Sequence, residues 1–401
     1  MQFDFMALAI PFFLFFMGLE YYVSLRLNKK VHQFHESIAN INVGIAERLS
    51  DLLTTGSFYF VFSWIYERYA FFNLESNILT WLLLFLATDF VWYWYHRLGH
   101  QVNILWAAHI VHHQSDDFNY TAAARITVLQ ALARGLFWSV LPLIGFPPHM
   151  IVILLLIHGT YPFFTHTQLI GKLGWLEFII VTPSHHRVHH SSNPEYLDKN
   201  YGDMLIIWDK IFGTFAQETV KPVYGLTHPL NSQSFLWQHF HYFLELIIAV
   251  RAASNFRDKF RVILGSPAQH DARFRLILER KLLQKAPATY SRRLIQIIQL
   301  KTVITILITF LTILCSGCFK SYQLTIVALY IFLSLIITGA MLEQKRWVFH
   351  LEFIRLGLFL LGLSTINEVL YITSAIGILF LGIALFYKSV QRKYQAFIFL
   401  N

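Results

Sequence analysis

Nine apolar stretches, separated by polar ones, constrain this chain more than any other feature. They run near 5–25, 49–65, 78–95, 128–146, 150–164, 303–318, 324–342, 353–363 and 369–387. A helix crossing the hydrocarbon core of a bilayer takes about 20 apolar residues. Most of the stretches reach or approach that length, and 353–363 is the short one. The expected fold is therefore all-α: a polytopic membrane protein with about eight to nine transmembrane helices and a helical cap. Composition agrees, with 56% hydrophobic residues, 38 Phe and only 14% charged residues, and a mean hydropathy of +0.49. A soluble domain would have too much apolar surface to hide. The first stretch has no basic region before it and no small-residue cleavage site after it, so it reads as a retained helix. Gly145-Phe146-Pro147-Pro148 breaks the fourth and fifth stretches into a hairpin.

Charge sets the expected orientation. The net charge is +9. Lys and Arg concentrate in the loop after the first stretch, between 167 and 301, and in the C-terminal tail. The alternate loops, around 67–77, 147–149 and 319–323, are nearly bare. Basic loops mark the cytoplasmic side, which puts the N-terminus outside and residues 26–48, 96–127 and 167–301 in the cytoplasm. The excess then reads as attraction to anionic headgroups, with no nucleic-acid partner. Cys315 and Cys318 end an apolar stretch and read as small helix residues, too few for a disulfide framework. The break near 301 divides a histidine-bearing part, 1–301, from an almost histidine-free helical part, 302–401.

Three histidine motifs follow the third stretch. "YHRLGH" places His96 and His100 four apart. "AAHIVHHQ" holds His109, His112 and His113. "SHHRVHHSS" holds His186, His189 and His190, preceded by His185. Residues three and four apart share one face of a helix, so each motif aims its imidazoles one way where it is helical. Eight imidazoles exceed the four ligands of a tetrahedral site and suit two ions. Neutral nitrogen donors suit iron, zinc, copper or nickel, and suit magnesium or calcium poorly. A lone histidine on an apolar face is ordinarily a hydrogen-bonded structural residue. Eight at these spacings on one side of a membrane point instead to metal. Two ions in nearly all-histidine ligation at a membrane edge suggest a di-iron centre for oxygen chemistry. His166 closes the fifth stretch at the same level and is expected as a further ligand. His158 and His185 are additional candidates, His185 as a residue beside the ligands. His32, His35, His228, His239, His241, His270 and His350 read as interfacial or surface residues.

The pattern HxxxH, HxxHH, HxxHH resembles the fatty acid hydroxylase/sterol desaturase superfamily of membrane di-iron oxygenases. Its surroundings, "DFVWYWYHRLGHQVNILWAAHIVHHQSDDFNYTAAAR", "TPSHHRVHHSSNPEYLDKNYGDMLIIWDKIFGTF" and "VYGLTHPLN", look like the branch that cleaves ether lipids. The likeness covers residues 10–245. It implies two Fe ions and O2, with 1–301 as the oxygenase domain and 302–401 as further transmembrane helices. The substrate would be a lipid drawn from the bilayer, hydroxylated beside an ether oxygen to a hemiacetal that collapses to a fatty aldehyde. Electrons would come from outside the chain, from tetrahydrobiopterin or a redox protein. The chain holds no iron–sulfur motif, glycine-rich dinucleotide fingerprint or haem domain of its own. The membrane would be the inner one in a bacterium and the endoplasmic reticulum in a eukaryote, with the histidines on the cytoplasmic face. Two positions depart from the branch, Gln101 and Gln168, where it carries glutamates. A carboxylate beside the ligands or against a pterin is therefore missing at both.

Asp89, Asp198 and Asn200 are expected to hydrogen-bond ligand imidazoles. Asp89 lies seven residues before His96, inside an apolar stretch where an ionisable group is costly and so a functional candidate. Arg125 and Arg187 are candidates for a headgroup phosphate, which Arg pairs bidentately. Other readings are a sterol, carotenoid or fatty acyl hydroxylase or desaturase of the same superfamily, and a membrane metal transporter or sensor. A metalloprotease is excluded by the absence of HExxH. A transporter would want ionisable ligands lining a path between the two sides of the bilayer, whereas these clusters share one side.

Overall fold

A computed structural model describes residues 4–283, 289–365 and 370–399. Residues 366–369, including the start of the last apolar stretch, and 400–401 of the expected C-terminal domain lie outside the described residues. Among the described residues the protein is helical, with two isolated β-bridges, Ile180 to Leu205 and Ser191 to Tyr224. The chain divides into two compact units: Phe16–Leu230 with Gln238–Leu283, and the residues up to Phe15 with Asn231–Trp237 and Gln284–Asn401. The expected break at 301 falls inside a helix.

The larger unit holds most of helix α1 (Ala9–Arg26), then α2 (Phe34–Tyr69), α3 (Ile78–Gln101), α4 (Asn103–His109), α5 (Tyr120–Ala123), α6 (Gln130–Trp138), α7 (Val140–Ile144), α8 (Pro148–Thr165), α9 (Pro183–His189) and α10 (Ile207–Ile211). Most of α11 (Phe235–Ala252), with α12 (Phe256–Leu264) and α13 (Arg273–Leu282), completes it. Local chemistry fixes the ends. Asn77 caps α3 by accepting from the Thr80 N–H. Gly145, at φ +124°, turns the chain between α7 and α8, and Pro148 starts α8 where its missing N–H costs nothing. Thr182 and Pro183 start α9 in the same way.

Phe62, Leu84, Trp138, Leu141, Met150 and Ile151 form the core that joins α2, α3, α6, α7 and α8. A second core, Val43, Ala107, Ile110, Val111, Tyr242 and Leu246, backs the second histidine motif. The opposite face of α3, with Ile78, Leu79, Leu82, Leu83 and Leu86, is exposed. A continuous apolar face of that kind belongs against lipid and not water.

The smaller unit contains α14 (Arg292–Leu314), α15 (Ser321–Leu342), α16 (Val348–Ser364), α17 (Leu370–Leu385) and α18 (Tyr387–Phe399). Successive helices α14–α16 pack side by side. Glu352 on α16 pairs with Lys301 on α14, and Arg355 on α16 donates to the Ser334 hydroxyl on α15.

Five described helices are long and apolar enough to cross a membrane: Met6–Arg26, Ile78–Gln101, Pro148–Thr165, Arg292–Leu314 and Ser321–Leu342. A sixth appears if Tyr371–Leu385 and Tyr387–Phe399, bent by 94°, count as one. This is a multi-pass membrane protein. The other expected spans fall on helices of different form. The 49–65 stretch lies inside the 36-residue α2, which also carries Glu36, Glu47, Arg48, Asp51, Glu67 and Arg68. The 128–146 stretch is interrupted at Ser139 between α6 and α7, and 353–363 lies in the 17-residue α16.

Candidate metal centre

The ends of two apolar helices and two short turns bring nine histidines together. His96 and His100 occupy the last two turns of α3, and His166 caps α8. His109 ends α4, and the 3-10 turn Ile110–His113 carries His112 and His113. His186 and His189 lie on α9, with His190 as its C-cap.

The nine form two groups whose candidate ligand atoms lie within 4.8 Å of one another: His96, His100, His109, His113 and His189, and His112, His166, His186 and His190. The doublets His112-His113 and His189-His190 are split between the groups. Consecutive side chains on a helical turn point about 100° apart, so each doublet faces both groups at once.

The donor atoms fit metal. In the second group, His166 Nε2 lies 3.3 Å from His112 Nε2 and 3.1 Å from both His190 Nε2 and His186 Nε2. In the first group, His109 and His113 approach at 3.2 Å through Nε2. A tetrahedron with metal–nitrogen bonds of about 2.0–2.1 Å has edges of about 3.3 Å. Four rings donate Nδ1–H to a main-chain carbonyl: His96 to Tyr201 (2.9 Å), His189 to Lys199 (3.0 Å), His112 to Arg125 (3.1 Å) and His166 to Pro162 (2.6 Å). Such a bond fixes the tautomer that leaves the Nε2 lone pair facing inward. His100 Nε2 and His189 Nε2 are buried without a hydrogen-bond partner. Burial pushes His166 down to about 4 and holds His109, His112, His113, His186, His189 and His190 well below the usual range, with neighbouring imidazoles adding to it. These rings stay neutral at pH 7, the form that binds metal.

The remaining predicted residues have other partners. Asp89 accepts from the Met204 and Leu205 N–H groups and from Trp208 Nε1, and touches no ligand ring. Asn200, at φ +56°, donates to the His185 and Ala216 carbonyls and accepts from the Ala216 N–H. Asp198, largely exposed, accepts from the Tyr201 hydroxyl, and its carboxylate lies 4.0 Å from His100 Nδ1. His185 accepts from the Thr182 N–H as part of the α9 cap, its ring against Phe215. His158 stands apart with Asp89 and Asp203.

Arg125, 1% exposed, donates to the Val111 carbonyl, Asn40 and Gln114. Arg187 pairs bidentately with Glu218 and donates to the Thr167 and Ile170 carbonyls. Both guanidiniums thus brace the histidine turns. Gln101 is exposed at the end of α3. Gln168 donates to the Phe118 carbonyl at 3.0 Å, and Phe118 stacks on His166. His239 and His241, expected as interfacial or surface residues, are buried on α11, whose own Glu245 is covered by His270 and Arg275.

Sequence reasoning missed the carbonyls that orient the rings, since main-chain atoms carry no residue signature. It also missed Asp209, which accepts from the Tyr201 and Gly202 N–H groups, and Glu20, which ties α1 to Thr167 and the Tyr120 N–H.

The fatty acid hydroxylase family profile matches residues 81–214, the segment that holds all nine histidines. Human alkylglycerol monooxygenase is 36% identical over 366 residues, 89% of this chain and 82% of the relative. The zebrafish (Danio rerio) alkylglycerol monooxygenase is 38% identical over 244 residues, 58% of this chain and 54% of the relative. The ornithine lipid hydroxylase of Rhizobium tropici is 30% identical over 131 residues, 32% and 40% of the two chains. No solved structure matches.

Proposed function

The chain belongs to the fatty acid hydroxylase superfamily, on the branch of the alkylglycerol monooxygenases, and from that membership we propose that it is an O2-dependent di-iron monooxygenase of ether lipids. The observation that carries the reading is the pair of histidine groups, with inward-facing Nε2 atoms at metal-ligand spacing, at the ends of apolar helices. Similarity to alkylglycerol monooxygenase over most of the chain supports the choice of substrate.

Two bound irons would supply activation of O2 for insertion into an unactivated C–H bond. His96, His100, His109, His113 and His189 would hold one ion, and His112, His166, His186 and His190 the other. The chain's own contribution is placement. The four carbonyl-bound imidazoles keep their tautomers, and Arg125 and Arg187 hold the turns that present them. Phe118 and Trp106 cover ligand rings with apolar surface and keep bulk water away. A lipid tail would approach from the bilayer, against which the exposed apolar face of α3 lies.

In the proposed reaction one oxygen atom enters the C–H bond beside the ether oxygen and the other leaves as water. Two electrons and two protons come from an external donor, a reduced pterin or a redox protein. The hemiacetal then collapses to a fatty aldehyde and a glycerol derivative. The histidines would face the cytoplasm, following the basic loops. Bilayer contact by α16 and the 130–144 segment would bring the span count towards eight.

The test is turnover. Purified protein loaded with Fe(II) is given a 1-O-alkylglycerol, O2 and tetrahydrobiopterin, and the aldehyde is trapped as a hydrazone. Aldehyde formation that stops in His112→Ala is the expected result. Hydroxylation of an acyl chain or a sterol with no aldehyde from the ether would move the chain to another substrate of the superfamily. No oxidation of any lipid, with two irons bound, would end the monooxygenase reading.

A further inference from the structure

Asp89, His158 and Asp203 form a third cluster of possible ligands within 4.8 Å of one another. All three side chains are fully enclosed. His158 comes from α8, Asp89 from α3 and Asp203 from the segment 198–209 that crosses between them. His158 Nδ1 lies 2.6 Å from Asp203 Oδ2 and 3.7 Å from Asp89 Oδ1. His158 rests against Trp92 and Phe85.

The cluster is not built as a third metal site. Two donors on one ion with bonds of about 2.0–2.2 Å stand at least about 2.9 Å apart when the angle between them is 90° or more. The contact of 2.6 Å is that of a shared proton. The oxygens of Asp89 also already accept three N–H groups. What the cluster does hold is a strap of main chain. Asp89 takes the Met204 and Leu205 N–H groups, His158 takes the Asp203 side chain between Gly202 and Met204, and Asp209 takes the Tyr201 and Gly202 N–H groups from the far end. The same strap presents the Lys199 and Tyr201 carbonyls to His189 and His96. Both of those rings belong to the five-histidine group. The carbonyls that orient rings of the other group, Arg125 and Pro162, are not on the strap.

We propose that His158 and Asp203, with Asp89, are positioning residues that fix this strap and so set how tightly the five-histidine group alone holds its ion. The proposal rests on reading the two histidine groups as a dimetal site. Loss of an outer hydrogen-bond partner typically weakens metal affinity 10–100-fold. Removing the His158–Asp203 bond frees Tyr201 to shift its carbonyl, and His96 loses its fixed tautomer. The Arg125 and Pro162 carbonyls, which orient His112 and His166 of the four-histidine group, lie off the strap and stay in place.

The experiment is chelator competition on full-length protein in detergent, with metal content measured after equilibration. The variants are His158→Leu and Asp203→Asn, each alone and in two backgrounds. His166→Ala leaves only the five-histidine group complete, and His109→Ala only the four-histidine group. Asp209→Asn, which loosens the strap from its other end, is the second route if His158→Leu does not fold. In the His166→Ala background the retained ion is expected to leave at about 10–100-fold less chelator once His158 or Asp203 is changed. In the His109→Ala background the retained ion is expected to leave at the same chelator concentration as without the change. Equal weakening of both ions would show general loosening and overturn the proposal. So would no weakening of either while the parent holds two ions, and that result leaves the dimetal reading intact. A third ion in the parent, lost from His158→Leu, would make the cluster a metal site and overturn it too. A parent that binds no metal at all would overturn the dimetal reading and this inference with it.

Discussion

Replacing Arg125 with Met tests how the second histidine turn is held. Arg125 is fully buried, and all three guanidinium nitrogens donate, to the Val111 carbonyl at 2.9 Å, Asn40 Oδ1 at 2.9 Å and Gln114 Oε1 at 2.7 Å. Methionine fills similar space and leaves Asn40 Oδ1 and Gln114 Oε1 without a donor, at about 1–3 kcal/mol each, while the Val111 carbonyl keeps the Gln114 N–H and loses one bond of about 1 kcal/mol. An opposing effect reduces the loss. Among the described residues no carboxylate lies in hydrogen-bond contact with Arg125, and burial lowers its pKa to about 10 against the attraction of Glu36 and Asp116. The net shift corresponds to roughly 3 kcal/mol, which Met would relieve. The balance is a net loss of about 2 kcal/mol, or roughly 4–8 °C in the unfolding midpoint of a unit this size. The assay is thermal unfolding in detergent followed by intrinsic fluorescence, with metal content measured beside it. Arg125→Lys sharpens the test, because it keeps the buried charge and loses the fork. Lysine should be at least as destabilising as methionine. A methionine variant as stable as the parent would refute the claim that these acceptors depend on Arg125. A lysine variant that restores the parent's stability would show that charge, and not the fork, holds the turn.

Three further outcomes follow from the same geometry. Gln168→Glu replaces the donor that meets the Phe118 carbonyl with a carboxylate that repels it. A loss of about 1–3 kcal/mol should appear in thermal unfolding, and an unchanged midpoint would show that Phe118 is held against His166 by stacking alone. Asn200→Ala removes three hydrogen bonds at a left-handed position and should cost about 2–4 kcal/mol by urea titration; Asn200→Gly, which keeps the backbone freedom, should cost less. In metal-free protein, unfolded histidines protonate near 6.5, whereas His166 resists protonation until about 4 and six other histidines of the two groups also stay neutral. Stability is therefore full above pH 6.5 and falls towards pH 4, by up to about 1.4 kcal/mol per pH unit for each such ring. Unfolding midpoints at pH 7.5 and 5.5 that coincide would mean that the rings are not buried as described.

The histidine groups were legible because metal chemistry restricts residue type and helix geometry restricts spacing. Imidazoles at i, i+3 and i+4 make such a set, so the clustering of His96 to His190 could be anticipated without knowing a single tertiary contact. Asp89 was legible for a similar reason: a carboxylate inside an apolar helix needs an explanation. Two of its three partners were not, since they are main-chain N–H groups 115 and 116 residues away, and every residue but proline has one. The same holds for the carbonyls of Lys199, Tyr201, Arg125 and Pro162. Arg125 and Arg187 were read from what guanidinium can bind outside the protein, while the fold uses them on its own carbonyls and amides.

The helices divide along the same line. Apolarity over 5–25, 78–95, 150–164, 303–318 and 324–342 is a one-dimensional property and survives into all five of the long apolar helices. The interruption at Ser139 and the extension of α2 to residue 34 depend on what packs around them. Gly135 illustrates this: a Cβ there would stand 2.2 Å from the Phe58 ring, so the path of α6 against α2 is set by a close approach that no hydropathy pattern records. His158 is the furthest case. Alone on an apolar helix it reads as a spare ligand or a spare structural residue, and its pairing with Asp203, 45 residues on, decides between them. The imidazole donors are encoded in side chains, while the order that aims them is encoded in backbone held by buried polar pairs. Substitutions among those pairs are where the proposed metal affinities of two chains with the same nine histidines would come to differ.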